Sequence, residues 1–424
     1  MKKKICIILT KNTAELEYLL PILDNKSYSF DICVFDYNKD RVIKKNSELN
    51  NYLIKKKIKI FDIKYFIKNK FLILNFLGKI IESNSLPIRS ILSKLKKKFS
   101  IFFLYLLIKN FLNRILKETF HVLFFCLKKN SLSIEYEYVL LGHRDFISFF
   151  FYKIFKNLVI NKPHKYVFIP HGPHYAEIFT HKITQTEKLL VNKNYVNIVA
   201  NNIEKPWLNK LYSKNRCLKF GYPLFFNHIK KTKKRNKILN LLIISRRFDF
   251  KKLDYKSNEF TIHFDNFRSF LKPVINIKNK VKIYFKPHPT TNINVLNKIL
   301  NDLKIKNFEI IEDPIYFNLK KFDLVYSYHS TALFLPVLNS LPVIYFKDKS
   351  IYKLIRWSKK VLSLYNNVYL KVDEKFDFNQ FLNQKFLKID KQKINKKRRK
   401  LERVFIKSNP NRFFKEINKI FKKL

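Results

Sequence analysis

Apolar residues along this chain fall into short unbroken runs, each followed by a stretch in which they recur every three or four positions. The first run, Ile5 to Leu9 in "KICIILT", leads into "AELEYLLPIL". "FDICVFD", "YEYVLLGHRD", "KYVFIPHGP", "NIVANN" and "CLKFGYP" continue the series. Strands that are apolar on both sides belong to parallel sheets, because crossover helices cover both faces. The polar, cationic segment "NHIKKTKKRNK" (227–237) interrupts the series. It resumes with "ILNLLIISRR", "VKIYFKPHP", "FEIIEDP", "FDLVYSYHS" and "LPVIYFKD". The pattern predicts an α/β protein of two doubly wound domains, 1–225 and 238–390, that face a cleft. Residues 391–424 read as a charged helical tail. Ligands of such sheets bind beside the carboxyl ends of the strands, so chemistry is expected in the loops that follow them.

Composition changes this picture in one respect. The 424 residues include 86 Lys and Arg against 32 Asp and Glu, a net charge of +54. The chain is also rich in Lys, Asn, Ile and Phe, with only 4 Gly and four Ala (Ala14, Ala176, Ala200, Ala332). That bias is what AT-rich codons produce, and the lysines spread along the whole chain as a solvated surface. The functional alternative is a basic face for an anionic membrane or a polyanionic substrate. No RNA-binding signature, zinc-finger spacing or basic zipper appears, which weighs against nucleic acid as a partner. The cysteines, Cys6, Cys33, Cys126 and Cys217, form no CxxC pair and suit a reducing cytoplasm. The opening "MKKKICIILT" reads as a buried strand, its apolar run being too short for a signal peptide. The apolar stretch 101–126 is broken by Lys109, Asn110, Arg114, Lys117 and Glu118, so it reads as an amphipathic helix rather than a membrane span.

The rare glycines carry information. Gly142, Gly172 and Gly221 each follow an apparent strand, where a tight turn or close backbone approach to a ligand is expected. Gly172 lies between His171 and His174 in "IPHGPH", which marks a site. In "KPHPTT", prolines on both sides of His288 hold the chain extended and block a helix. A histidine so held can donate to a phosphate or act as an acid, and Lys286 adds charge nearby. In "YSYHSTALFLPVL", Ser327, His329, Ser330 and Thr331 stand between a strand and an apolar helix. Hydroxyls and free amides at such a turn suit a phosphate or carboxylate. Ser245 and Arg246, with Arg247, end the first strand of the second domain and are weaker candidates. There is no P-loop, no GxGxxG, no persuasive DxD and no GxSxG.

An HG loop, then HP, then a Ser/Thr-rich strand-to-helix turn resembles two related groups over about residues 165–350. One is the bacterial sialyltransferases and polysialyltransferases; the other is the CDP-glycerol glycerophosphotransferases. The HP motif falls on His288 and Pro289, and the Ser/Thr motif falls best on Ser330 and Thr331. The sialyltransferases usually carry an acidic pair before the glycine, whereas "PHG" here is closer to the glycerophosphotransferases. The resemblance implies a GT-B fold, with an acceptor-side domain (1–225) and a nucleotide-donor domain (238–390). It implies a cytidine nucleotide donor, CMP-sugar or CDP-polyol, and no metal cofactor.

On this reading His171 takes the acceptor proton, with Glu177 as a second candidate base. His288, Lys286, Pro289 and the Ser330–Thr331 turn hold the donor phosphate, with Gly172, Ser245, Arg246 and Ser327 lining the site. The transferred group is a nonulosonic, sialic-type acid or else glycerol phosphate. The acceptor is a surface glycan of capsule or lipooligosaccharide type, or its lipid-linked precursor. The enzyme is then expected in the cytoplasm, peripheral at the inner face of the membrane. The rival from another class is a non-catalytic nucleic-acid or polyanion-binding protein, supported by charge alone.

Overall fold

The computed structural model describes residues 2–9, 14–34, 47–62, 136–141, 165–170, 195–203, 205–206, 216–226, 238–245, 264–275, 277, 281–288, 291–305, 307–348, 363–386 and 388–423. The apolar runs become thirteen strands in two sheets among these residues. The first sheet holds β1 (Lys3–Leu9), β2 (Tyr28–Val34), β3 (Lys59–Asp62), β4 (Tyr138–Leu141), β5 (Lys165–Phe168), β6 (Tyr195–Val199) and β7 (Cys217–Lys219), in the order β3-β2-β1-β4-β5-β6-β7. The second holds β8 (Leu239–Ile244), β9 (Val281–Lys286), β10 (Phe308–Ile310), β11 (Leu324–Tyr328), β12 (Val343–Phe346) and β13 (Leu370–Val372), in the order β10-β9-β8-β11-β12-β13. Every pairing is parallel. β4, β6, β11 and β12 are buried at every position, as strands covered on both faces must be.

The helices among the described residues are α1 (Ala14–Leu19), α2 (Ser47–Lys55), α3 (Pro223–Phe226), α4 (Phe264–Ile275), α5 (Ile293–Asp302), α6 (Ile315–Asn318), α7 (Phe334–Leu338), α8 (Phe378–Gln380), α9 (Lys391–Glu402) and α10 (Phe413–Phe421). One face of the second sheet packs Leu241, Ile243, Phe285 and Tyr326 against Phe267, Phe270 and Leu271 of α4 and Leu296 and Leu300 of α5. Its other face carries Leu242, Ile244, Val325 and Val343. These join Leu16, Leu49 and Leu53 of the first domain in one continuous core. The domains are also joined by a polar contact. The Asp313 carboxylate accepts from the backbone N–H groups of Glu48 (3.1 Å) and Leu49 (3.3 Å), in the first turn of α2. A carboxylate there satisfies orphan amides and opposes the helix dipole.

The tail 391–424 serves both domains. α9 buries Ile394 and Leu401 and packs on α7 of the second domain. The chain then crosses to the first domain, where Ile406 N–H donates to Ala200 O (3.2 Å) and Asn202 N–H to Val404 O (2.9 Å). α10 lays Phe413, Phe414 and Ile417 into the first domain's core. The Phe414 ring lies 4.2 Å from that of Tyr28 and 5.4 Å from that of Tyr138, whose hydroxyl donates to the Asn418 side-chain oxygen. Burial of three such side chains contributes about 2 kcal/mol each. α10 is therefore part of the first domain's cover. Among the described residues no helix is long and apolar enough to cross a membrane.

Candidate functional site

In each sheet the strand order reverses beside the first strand, between β1 and β4 and between β8 and β11. Strand connections leave to opposite sides at such a point and open a crevice past the carboxyl ends. At the second reversal the register sets Ile244 opposite Lys286 on one side and Ser327 on the other. The residues leaving the sheet there are Ser245, the Pro287–His288 pair and the turn from His329 to Thr331. Sequence reasoning had singled out these strand exits, and the fold brings them to one edge of one sheet.

Three hydroxyls at this edge are buried. Ser245, whose N–H donates to Lys286 O (3.2 Å), is 2% exposed; Ser327 is fully buried and Thr291 is 7% exposed. None of the three side-chain oxygens has a hydrogen-bond partner among the described residues. An unpaired buried hydroxyl costs roughly 1–3 kcal/mol, so each of the three calls for a polar partner beyond the described protein groups. Thr291 was not anticipated from sequence. Its N–H donates to His288 O (2.8 Å) and closes the turn that carries the half-buried His288.

The Ser/Thr turn follows from local chemistry. Ser330 is extended (φ −119°, ψ 138°) and its Oγ accepts from Ala332 N–H (3.3 Å), capping the single 3₁₀ turn Thr331–Leu333 that runs into α7. Before it, His329 takes φ +26°, a conformation that a side-chain-bearing residue holds only when its surroundings impose it. The surroundings are visible. Its Nδ1 lies 2.6 Å from the Tyr345 hydroxyl, and its ring stacks on Tyr365 at 4.3 Å and 20°. His329 is thus a buried support beneath the turn. Sequence signalled the histidine but not its two tyrosine partners.

Lys286 is the residue expected to add charge for a donor. It is 9% exposed, and its ammonium donates to Glu312 O at 2.6 Å, next to the Asp313 that caps α2. Burial holds its pKa below the usual lysine value, against the opposing pull of Glu17, Asp313 and Glu312. Its place is the junction between the domains.

Gly221 is also explained. It has no positive φ, so a left-handed turn does not account for it. A Cβ built there would lie 1.5 Å from the backbone oxygen of Ile406, in the segment that crosses between domains.

His171, Gly172, Glu177, Arg246 and Pro289 lie outside the described residues, as do Gly142, His174, Arg247 and the stretch 101–126. The strand that leads into the His171–Gly172 loop is described up to Pro170, and Ile169 N–H donates to Leu141 O (2.9 Å), which ties β5 to β4 at the exit. Among the described residues no three His, Cys, Asp or Glu gather in a group that could hold a metal.

No family model matches the chain. No curated protein matches it either. Solved structures do. A variant of the wall teichoic acid polymerase TagF soaked with CDPG superposes with TM-score 0.51 at 10% identity, covering 99% of this chain and 89% of that one. A second TagF variant gives TM-score 0.50 at 12% identity, covering 100% and 89%. At such identities the likeness concerns the fold: two Rossmann-like domains in the GT-B arrangement.

Proposed function

We propose that this protein is a metal-independent, inverting glycosyltransferase that takes a sialic-type nonulosonic acid from a CMP-sugar and transfers it to a surface glycan of capsule or lipooligosaccharide type. The observation that carries the reading is the second switch point, where Ser245, Ser327 and Thr291 bury hydroxyls without described partners beside the His288 turn. Those groups, with the Ser330–Thr331 turn, Arg246 and Pro289, receive the donor phosphate and stabilise the charge that builds on the departing nucleotide. His171, beside Gly172, takes the acceptor hydroxyl's proton, with Glu177 in reserve. Lys286, whose ammonium donates to Glu312 O, adds its charge on the donor side. The acceptor or its lipid-linked precursor is met at the inner face of the cytoplasmic membrane.

A second reading, glycerol-phosphate transfer from a CDP-polyol, draws support from "PHG" and from the TagF variant soaked with CDPG. One experiment separates these readings from a non-catalytic polyanion binder. It is a thermal-shift series with CMP, CDP, UDP, GDP and ADP, without metal, on wild type and His288→Ala. A nucleotide at 100 times its Kd adds about 2.7 kcal/mol to the native state. Stabilisation by CMP or CDP, lost in His288→Ala, is expected. Comparison of CMP-nonulosonate with CDP-glycerol turnover then assigns the donor. Stabilisation by UDP or GDP instead overturns the cytidine donor. Silence toward every nucleotide in folded protein leaves the binding-protein reading.

A further inference from the structure

Most paired lysines on the described surface stand beside carboxylates: Lys3 with Glu137, Lys56 with Asp24, Lys282 with Glu309, Lys419 with Glu416. One face breaks this pattern. Between Lys391 and Arg403 eight of thirteen residues are basic and one, Glu402, is acidic; Glu402 is taken by Arg398 at 3.3 Å. α9 buries only Ile394 and Leu401, so Lys393, Lys396, Arg399 and Lys400 point to solvent. The edge strand β13 adds exposed Lys371, next to exposed Lys347. Two ammonium groups are drawn onto one asparagine: Lys371 donates to Asn366 Oδ1 (2.5 Å) and Lys397 to Asn366 O (3.0 Å). Amide oxygens anchor these lysines without cancelling their charge.

We propose that the face built from α9 and the edge strand β13 docks on an anionic phospholipid bilayer. The face is a helix beside a strand edge, broad enough to meet a plane. It consists chiefly of lysines, point charges on flexible stems that suit a diffuse anionic surface. The described ring beside it, Tyr369, lies under Lys393 at 4.7 Å and is not presented for base stacking. Burial and then the charges of Lys371, Lys400, Lys393 and Lys396 lower the pKa of Lys397, so like charge is concentrated here. Arg398 Nη1 donates to Ser340 Oγ (2.8 Å), at the end of α7 opposite the Ser330–Thr331 turn, so a bilayer on this face leaves that turn uncovered.

The test is co-sedimentation with vesicles at about 0.15 M salt, where exposed charges more than a Debye length apart are screened. One set is phosphatidylcholine and the other carries one-third phosphatidylglycerol. The patch variant is Lys371→Gln, Lys393→Gln, Lys396→Gln and Lys400→Gln; the control removes equal charge elsewhere through Lys2→Gln, Lys26→Gln, Lys55→Gln and Lys59→Gln. Each surface lysine near an anionic leaflet is worth about a fivefold change in partition. The patch variant is therefore expected to lose several hundred-fold in binding to the anionic vesicles, while the control keeps most of it. Equal losses in both variants overturn the proposal, because the charge then acts diffusely. So does failure of wild type to bind, or patch-dependent binding to RNA with none to vesicles. The double variant Lys393→Gln, Lys396→Gln, expected to lose about 25-fold, serves if the fourfold variant does not fold. No activity enters this measurement, so its failure and that of the transferase reading are separate results.

Discussion

Replacing Gly221 with alanine sets one methyl group against the segment that ties the two domains together. The added Cβ would lie 1.5 Å from Ile406 O and 2.6 Å from Ile406 C, where ordinary contact begins at 3.4 Å. Neither obstacle is a flexible side-chain end; both are backbone. The segment is held by hydrogen bonds from Ile406 N–H to Ala200 O, from Asn202 N–H to Val404 O and from Asn202 Nδ2 to Arg403 O. Phe405 is buried between Phe225 and Phe334, at ring distances of 4.8 and 5.7 Å. Moving the segment weakens those three bonds, at about 1 kcal/mol each, and disturbs the aromatic packing by about 1–2 kcal/mol more. A loss of roughly 4–5 kcal/mol is a large part of the ~5–15 kcal/mol that holds a typical protein folded. Equilibrium denaturation of Gly221→Ala beside Lys219→Ala measures it, since Lys219 is exposed two residues earlier and should cost under about 0.5 kcal/mol. A Gly221→Ala protein within about 1 kcal/mol of wild type would refute the close-approach argument.

Two further outcomes follow from the domain junction. Lys286 has a folded-state pKa below its unfolded value, so the unfolded chain binds more protons between the two. Wild-type stability should therefore rise with pH as it approaches 10.5, and denaturation of Lys286→Met across that window should show a smaller rise. Asp313→Ala removes the cap on α2 and should cost about 1–2 kcal/mol, read from the denaturation midpoint; an unchanged midpoint would mean that the cap contributes nothing to the junction.

The strands and their two-domain grouping were legible because fully apolar runs such as "ICIIL" and "LNLLII" have few other uses in a chain so rich in lysine. The exits at Ser245, His288 and Ser330 were legible for the same reason: once the strands are placed, their ends follow. What lay beyond sequence were partners distant along the chain. Alternation puts Lys286 on the same side of β9 as Tyr284, but nothing local says that this side meets another domain or that Glu312 O waits there. His329 stood out as a residue, yet Tyr345 and Tyr365 are what hold it. The rarity of Gly221 pointed to a tight turn or a ligand, and what approaches it is the protein's own backbone. The approaching atom belongs to a segment nearly two hundred residues later, which no strand-exit rule contains.

The crossing of the tail also orders the protein's assembly in time. A ribosome delivers β1 to β7 long before α10, so the first sheet emerges with the surface meant for Phe413, Phe414 and Ile417 still bare. Domains of nascent chains usually close in the order in which they are made. Here the cover of the earlier domain is completed only by residues made after the whole second sheet.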